Sequence, residues 1–167
     1  MGVDPGKMTG VFLYSPNGRI GAGWNGLKPY VHWLEVEAKH APILLHQTIR
    51  DLAERYGHAN VHIAVERFII NARTAKSSQQ TDALEITGMV KGFARLHTPN
   101  PVRQYMKANL KFANDAALRR AGWYSAQYGH ATDAARQAYA LLNDVHYPSW
   151  LDVSSGAMMK IDDETKG

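Results

Sequence analysis

The chain has 167 residues, of which 45% are hydrophobic and 20% charged, as expected for one globular domain with a buried core. It contains no cysteine, which excludes disulfides, thiolate metal sites and cysteine nucleophiles. No apolar run approaches the roughly 20 residues of a membrane span and no signal-peptide pattern is present, so a cytoplasmic protein is expected. The formal net charge of +4 mildly favours a polyanionic partner.

Three short strands are predicted at the beginning of the chain. They are the apolar segments 1–4, 11–14 and 20–24, with turn-forming residues at 15–19, and they are expected to form an antiparallel meander. Only three residues precede Asp4, fewer than a central strand usually has. Either the chain starts late, or this strand pairs through fewer hydrogen bonds than usual.

The middle of the chain alternates between helix and strand. An amphipathic helix is predicted over 35–56, with Gly57 as its stop, and a strand over 61–66. A second helix over 82–96 and a fifth strand over 101–106 follow.

Two further helices complete the domain. Asn114 is suited to cap a short helix, and an alanine-rich helix is predicted over 131–145. We therefore expect one domain over 1–146 and a polar, mobile tail over 147–167. The order of elements predicts an α/β fold with a five-stranded mixed sheet flanked by helices on both faces.

Four residues stand at the ends of predicted elements, where a metal site can form. Asp4 and Glu66 end apolar strands, and the pair His130/Asp133 opens the alanine-rich helix on one helical face. If the first strand is central, the fold brings all four to one edge. Carboxylate oxygens are the ligands that Mg²⁺ prefers, and two such ions about 3.5–4 Å apart can hydrolyse a phosphodiester. The set therefore predicts a divalent-metal nuclease.

Each of these four residues also has a purely structural interpretation. Asp4 could start a turn, and Glu66 could be an exposed charge at a strand end. Asp133 could charge the first turn of its helix, and His130 could be a surface or capping residue.

Two basic segments with interleaved aromatic residues predict contacts with phosphates. The segment 67–81 carries three basic residues and no acid, and the segment 99–122 carries five basic residues against one acid. These basic residues are Arg67, Arg73 and Lys76, then Arg103, Lys107, Lys111, Arg119 and Arg120. A solvated face is the alternative for either segment alone.

Four motifs point to a known family. They are GVDPGKMTG at 2–10, VERF at 65–68, DALEITGMVKG at 82–92 and HATDAA at 130–135. Together they resemble RuvC-type Holliday-junction resolvases of the RNase H-like superfamily, and the resemblance spans about residues 2–145.

The resemblance implies a phage or bacterial endonuclease, acting as a homodimer, that resolves Holliday junctions and other branched DNA such as flaps and forks. It implies two Mg²⁺ or Mn²⁺ ions per active site, held by Asp4, Glu66 and Asp133, and products with 5′-phosphate ends. His130 stands where other members have an aspartate, so it could bind one metal or act near the attacking water or the leaving group. Lys107, after the fifth strand, could stabilise charge on the phosphate.

The resemblance also implies how DNA is contacted. The family places an aromatic wedge shortly after the second acid, and here Phe68 and Ile69 are both candidates. The other expected DNA contacts are Arg67, Arg73, Lys76 and Lys111. Two interpretations of the helix 82–96 stay open: its apolar stripe serves the core, or its glycines Gly88 and Gly92 form a dimer seam.

Three other protein classes share some of these features. A sugar-kinase or actin-like ATPase has a similar phosphate loop, but it needs two lobes and a longer chain than this one. An RNase H-like nuclease acting on RNA or RNA–DNA hybrid stays open, although the basic segment after Glu66 favours junction DNA. A DNA-binding module without catalysis also stays open, although all four site residues are intact.

Overall fold

The structure is a computed structural model, and it describes residues 1–16, 30–68 and 78–145. A five-stranded mixed sheet lies at the centre of this part of the chain. Its spatial order is β3-β2-β1-β4-β5. The strands are β1 (Gly2–Asp4), β2 (Met8–Ser15), β3 (Tyr30–Glu37), β4 (Ala64–Glu66) and β5 (Arg103–Tyr105). The first three are antiparallel, whereas β4 and β5 run parallel to β1. The predicted mixed sheet with a central first strand is confirmed.

Helices cover both faces of this sheet. They are α1 (Ala41–Tyr56), α2 (Ser78–His97), α3 (Asp115–Arg120) and α4 (Gly129–Asp144). On one face α1 and α2 pack against Val3, Val11 and Val65. On the other face α3 and α4 enclose Phe12 and Trp123, whose ring centroids are 5.0 Å apart. Successive strand residues point to opposite faces, which is why neighbouring residues of β1 and β2 serve different cores. None of these helices is long and apolar enough to cross a membrane.

Two glycines let α4 approach the sheet unusually closely. Gly2 and Gly10 are both buried, and both lie on the sheet face that α4 covers. A Cβ on Gly2 would overlap the backbone carbonyl of Ala134, and a Cβ on Gly10 would overlap that of His130. The helix therefore rests directly on the backbone of β1 and β2.

The strands near the N-terminus differ from their predicted bounds. β2 covers Met8–Ser15 rather than 11–14, because all eight of its residues pair with β3. The third strand of the meander is Tyr30–Glu37, so the prediction that residues 35–37 begin the first helix is wrong. The predicted strand 20–24 lies outside the described residues.

The first helix begins later than predicted and the last begins earlier. α1 starts at Ala41, with a proline in its first turn, where that residue is well tolerated. α4 starts at Gly129, so His130 and Asp133 both lie in its first two turns. β4 and β5 are shorter than predicted, and the expected tail 147–167 lies outside the described residues.

The predicted cap of α3 is confirmed. The Asn114 side chain accepts the backbone N–H of Ala117 at 2.9 Å. On α2, the apolar stripe does serve the core, since Ile86 and Val90 are buried. A Cβ on Gly88 or Gly92 would meet no atom within 4 Å, so neither glycine serves close packing among the described residues.

Candidate active site

Asp4 and Glu66 lie side by side at the carboxyl ends of two neighbouring parallel strands. The register pairs Val3 with Val65, and the next residue of each strand is the acid. Asp4 is 7% exposed and Glu66 is half-buried, and their carboxyl groups share a hydrogen bond. Adjacent strands are about 4.8 Å apart, so two acids at this register must interact.

The two acids hold a proton between them. Burial raises the pKa of Glu66 from 4.5 to about 8, and the hydrogen bond to Asp4 and the negative charge of Asp4 add to the shift. Burial also raises the pKa of Asp4, while the hydrogen bond from Glu66 acts in the opposite direction. Glu66 is therefore the protonated partner near neutral pH, and it donates to Asp4.

His130 reaches Asp4 from the first turn of α4. Its Nδ1 lies 3.2 Å from Oδ2 of Asp4, and its side chain is half exposed. The backbone N–H groups of His130 and Ala131 both donate to Oε1 of Glu35, at 2.7 and 3.1 Å. When Nδ1–H donates to Asp4, Nε2 is the ring nitrogen left to meet a ligand.

Asp133 lies one turn further along α4 and is held by two cations. Lys107 Nζ is 2.5 Å from Oδ2 of Asp133, and Arg136 donates to Oδ1 while also bonding Asp115. Burial lowers the pKa of Lys107, but the hydrogen bond to Asp133 and the nearby carboxylates outweigh burial and raise it above its ordinary value. Lys107 is therefore a fixed positive charge beside the acids.

These side chains line one open cleft of about 750 Å³. The residues predicted as catalytic all reach it: Asp4, Glu66, Lys107, His130 and Asp133. The aromatic side chain of Phe68 lines the same cleft. The cleft thus combines acids, an imidazole and a cation in one place.

Comparisons with known proteins agree with this architecture. No protein-family model and no curated protein matches the sequence. Among solved structures, Thermus thermophilus RuvC in complex with Holliday junction substrate matches with a TM-score of 0.58 and 20% identity, over 87% of this chain and 94% of that chain. A second T. thermophilus RuvC structure matches with a TM-score of 0.56 and 22% identity, over 86% and 94%. The chain has the fold of RuvC. The likeness to RuvC extends over most of the chain, and it confirms the resemblance found in the motifs at the level of the fold.

The residues predicted to contact DNA are less completely described. The backbone N–H of Arg67 donates to the carbonyl of Tyr105 at 2.9 Å, which leaves its exposed side chain beside the end of β4. Lys111 is exposed and does not line the cleft. Ile69, Arg73 and Lys76 lie outside the described residues.

The sequence predictions missed several residues that shape the cleft. Glu35 was placed in a helix, so its contact with the start of α4 had no local signal. Arg136 could have been found, because a residue three positions after Asp133 lies on the same helical face. Gly2 and Gly10 were seen only as motif members, and their role depends on the position of α4.

The cleft offers carboxylate oxygens, which are the donor atoms that a hard divalent cation such as Mg²⁺ prefers. The described residues form no group of three or more His, Asp or Glu side chains that could hold a metal ion as they stand. The oxygens of Asp133 are bonded to Lys107 and Arg136, and Asp4 is bonded to Glu66 and His130. Even so, the raised pKa values of Asp4 and Glu66 mark a site where added positive charge would be favourable. Binding would replace the shared proton and move Lys107 or Arg136 away from Asp133.

Proposed function

We propose that this chain is a metal-dependent, structure-selective endonuclease that resolves Holliday junctions and other branched DNA by phosphodiester hydrolysis. The observation that carries the proposal is the cleft that brings Asp4 and Glu66, side by side on parallel strands, together with His130, Asp133 and Lys107. The RuvC fold supports the choice of substrate, since one of the matching RuvC structures is a complex with Holliday junction substrate.

The side chains of the cleft divide the chemistry between them. Two Mg²⁺ or Mn²⁺ ions, held by Asp4, Glu66, His130 and Asp133, would supply an activated water and stabilise the leaving oxygen. The chain itself contributes carboxylates that give up their shared proton, and an imidazole whose Nε2 can bind an ion or accept a proton. Lys107 can exchange its bond to Asp133 for one to a phosphate oxygen, where its charge stabilises the transition state. The products carry 5′-phosphate and 3′-hydroxyl ends.

The proposed DNA surface begins at the cleft. Phe68 lines the cleft and is the first candidate to pack against a base or sugar at the crossover, with Ile69 as the other candidate. Arg67 and Lys111 are exposed cations that can contact phosphates. Arg73 and Lys76 are assigned to the same surface on sequence grounds.

Two cuts are needed to resolve a four-way junction, and each chain supplies one cleft. We therefore propose a homodimer in which two copies act on opposite strands. Light scattering of the purified protein tests this part of the proposal, and a strictly monomeric protein that still resolves junctions would contradict it.

The experiment that tests the activity is cleavage of synthetic four-way junctions, flaps, linear duplexes and RNA–DNA hybrids with Mg²⁺ or Mn²⁺. The parent should cut branched DNA. Asp4→Asn should not, because it removes the carboxylate that is paired with Glu66 in the cleft. Asp51→Asn makes the same change on the exposed surface of α1 and should cut like the parent. Equal cutting by Asp4→Asn would sink the proposal.

Two other results of the same experiment would favour a different function over junction resolution. Preferred cutting of the RNA–DNA hybrid would make the chain an RNase H-like nuclease. Salt-sensitive binding of junctions by the parent without cleavage in either metal would make it a DNA-binding module.

A further inference from the structure

Two histidines face each other where α1 meets α2, outside the cleft. His46 lies in the second turn of α1 and His97 ends α2, and their Nε2 atoms are 3.2 Å apart. Both side chains are partly buried. Neither histidine lines the cleft or belongs to any of the four sequence motifs.

Neighbouring residues hold the His46 ring and the backbone of His97 in place. The His46 ring stacks on Phe93, with centroids 4.7 Å apart and planes 24° from parallel. The backbone carbonyl of His97 accepts a hydrogen bond from Nδ1 of His58 at 2.7 Å, which fixes the end of α2. The His46 imidazole is thus preorganised by packing, and the end of the helix that carries His97 is fixed, so a ligand that binds both would lose little conformational entropy.

The separation of the two nitrogens suits a shared metal ion. Imidazole nitrogens bind Zn²⁺ at about 2.0–2.1 Å, so two of them are about 2.9 Å apart at a right angle and about 3.4 Å apart in a tetrahedron. The observed 3.2 Å lies between these values. Imidazole is a ligand for Zn²⁺, Cu²⁺ and Ni²⁺, whereas Mg²⁺ prefers oxygen.

We propose that His46 and His97 form a second metal site, which takes a late first-row divalent ion such as Zn²⁺, Ni²⁺ or Cu²⁺ and bridges α1 to α2. Among the described residues no third His, Asp or Glu side chain joins His46 and His97 in a group that could hold a metal ion, so water completes the coordination. An ion bound by both helices stabilises the folded chain, because the unfolded chain does not hold the two rings together. The site is independent of the proposed nuclease activity.

The alternative explanation of the 3.2 Å separation is a single N–H···N hydrogen bond between two neutral imidazoles, which implies no affinity for a metal. The test is Ni²⁺ binding by calorimetry to the full chain carrying Asp4→Asn and His130→Asn, so that the cleft cannot contribute. We expect one Ni²⁺ per chain, and a loss of affinity of roughly tenfold or more when either His46→Gln or His97→Gln is added. His40→Gln, an exposed histidine just before α1, is the matched control and should bind Ni²⁺ unchanged.

A second measurement keeps the test valid if either variant folds poorly. X-ray absorption at the nickel edge of the same cleft-disabled chain should show two imidazoles bound to the ion. Fewer than two imidazoles, no Ni²⁺ binding, or unchanged binding in both glutamine variants would each overturn the proposal.

Discussion

The carboxylate of Glu35, on β3, accepts the backbone N–H of His130 at the start of α4, at 2.7 Å. The residue before α4, Tyr128, makes no side-chain cap, and the first turn of the helix carries no acid. Glu35 therefore supplies from another strand both the cap and the negative charge that a helix N-terminus favours. This contact fixes the backbone from which the His130 side chain reaches Asp4.

Replacing Glu35 with alanine should destabilise the protein and reduce cleavage of junction DNA together. Loss of an N-terminal cap costs about 1 kcal/mol, and the freed N–H groups would let the start of α4 move. Urea unfolding and junction-cleavage rates measure the two effects. Glu35→Gln keeps a carbonyl acceptor and should retain most of both properties. Glu54→Ala, an exposed change on α1 outside the cleft, is the control, and equal damage there would argue against a specific cap.

Gly10→Ala should push α4 away from the sheet. The added Cβ would lie 2.5 Å from the backbone nitrogen of Ala131 and overlap the backbone carbonyl of His130, and overpacking of this kind costs about 1–3 kcal/mol. We expect a lower free energy of unfolding and a loss of cleavage, because His130 and Asp133 move with the helix. Gly129→Ala adds the same methyl group at the exposed start of α4, where no atom lies within 4 Å, and should change stability by less than about 0.5 kcal/mol.

The stability of the metal-free protein should fall as the pH rises towards 8. Glu66 keeps its proton to about pH 8 in the folded chain, whereas an unfolded glutamate loses it near its ordinary pKa of 4.5. Between these values the folded state binds more protons than the unfolded state, so the free energy of unfolding decreases with increasing pH. The contribution of Glu66 to the free energy of unfolding is fully present below about pH 4.5 and is lost above about pH 8.

Urea unfolding in a chelator over this pH range measures the effect. Glu66→Gln should remove most of the decline and be more stable than the parent at pH 8, with Glu85→Gln on the exposed side of α2 as the matched control. Added Mn²⁺ should stabilise the parent more at high pH than at low pH, because the ion competes with the shared proton. A parent whose stability rises steadily from pH 5 to pH 8 without metal would contradict the shared proton.

Lys107 and Lys111 should respond differently to the same substitution. Lys107→Met removes the charge beside Asp133, and the rate of junction cleavage should fall by about 10² with binding largely retained. Lys111→Met removes a charge outside the cleft, so it should weaken junction binding and lower the salt dependence by about one phosphate contact. Single-turnover cleavage rates and junction binding at several salt concentrations distinguish the two effects. Identical changes in both variants would contradict the separate roles of Lys107 and Lys111.

The two strand-end acids could be predicted from the sequence because their position depends on short-range patterns. Asp4 and Glu66 each end an apolar run, and the order of elements placed the first strand in the middle of the sheet. Parallel neighbours then had to bring both acids to one edge. The pair His130/Asp133 was visible from helical spacing, although the helix begins earlier than the alanine-rich pattern suggested.

The strand β3 could not be predicted in this way. All of its eight residues pair with β2, from Met8 opposite Glu37 to Ser15 opposite Tyr30, so long-range pairing determines its conformation. The residues 35–37 were consistent with the start of a helix as a local pattern, and only the partner strand decides between the two. The role of Glu35 could not be predicted for the same reason, because Glu35 caps α4, whose His130 is 95 residues further along the chain.

The glycines beneath α4 also determine how the cleft can move. In most sheet–helix contacts, flexible side chains lie between the two backbones and absorb small shifts of one against the other. Here the backbone carbonyls of His130 and Ala134 rest on Gly10 and Gly2, with no side chain between them. The helix therefore has no room to move closer to β1 and β2, which sets the shortest distance at which His130 and Asp133 can stand from the acids of the sheet.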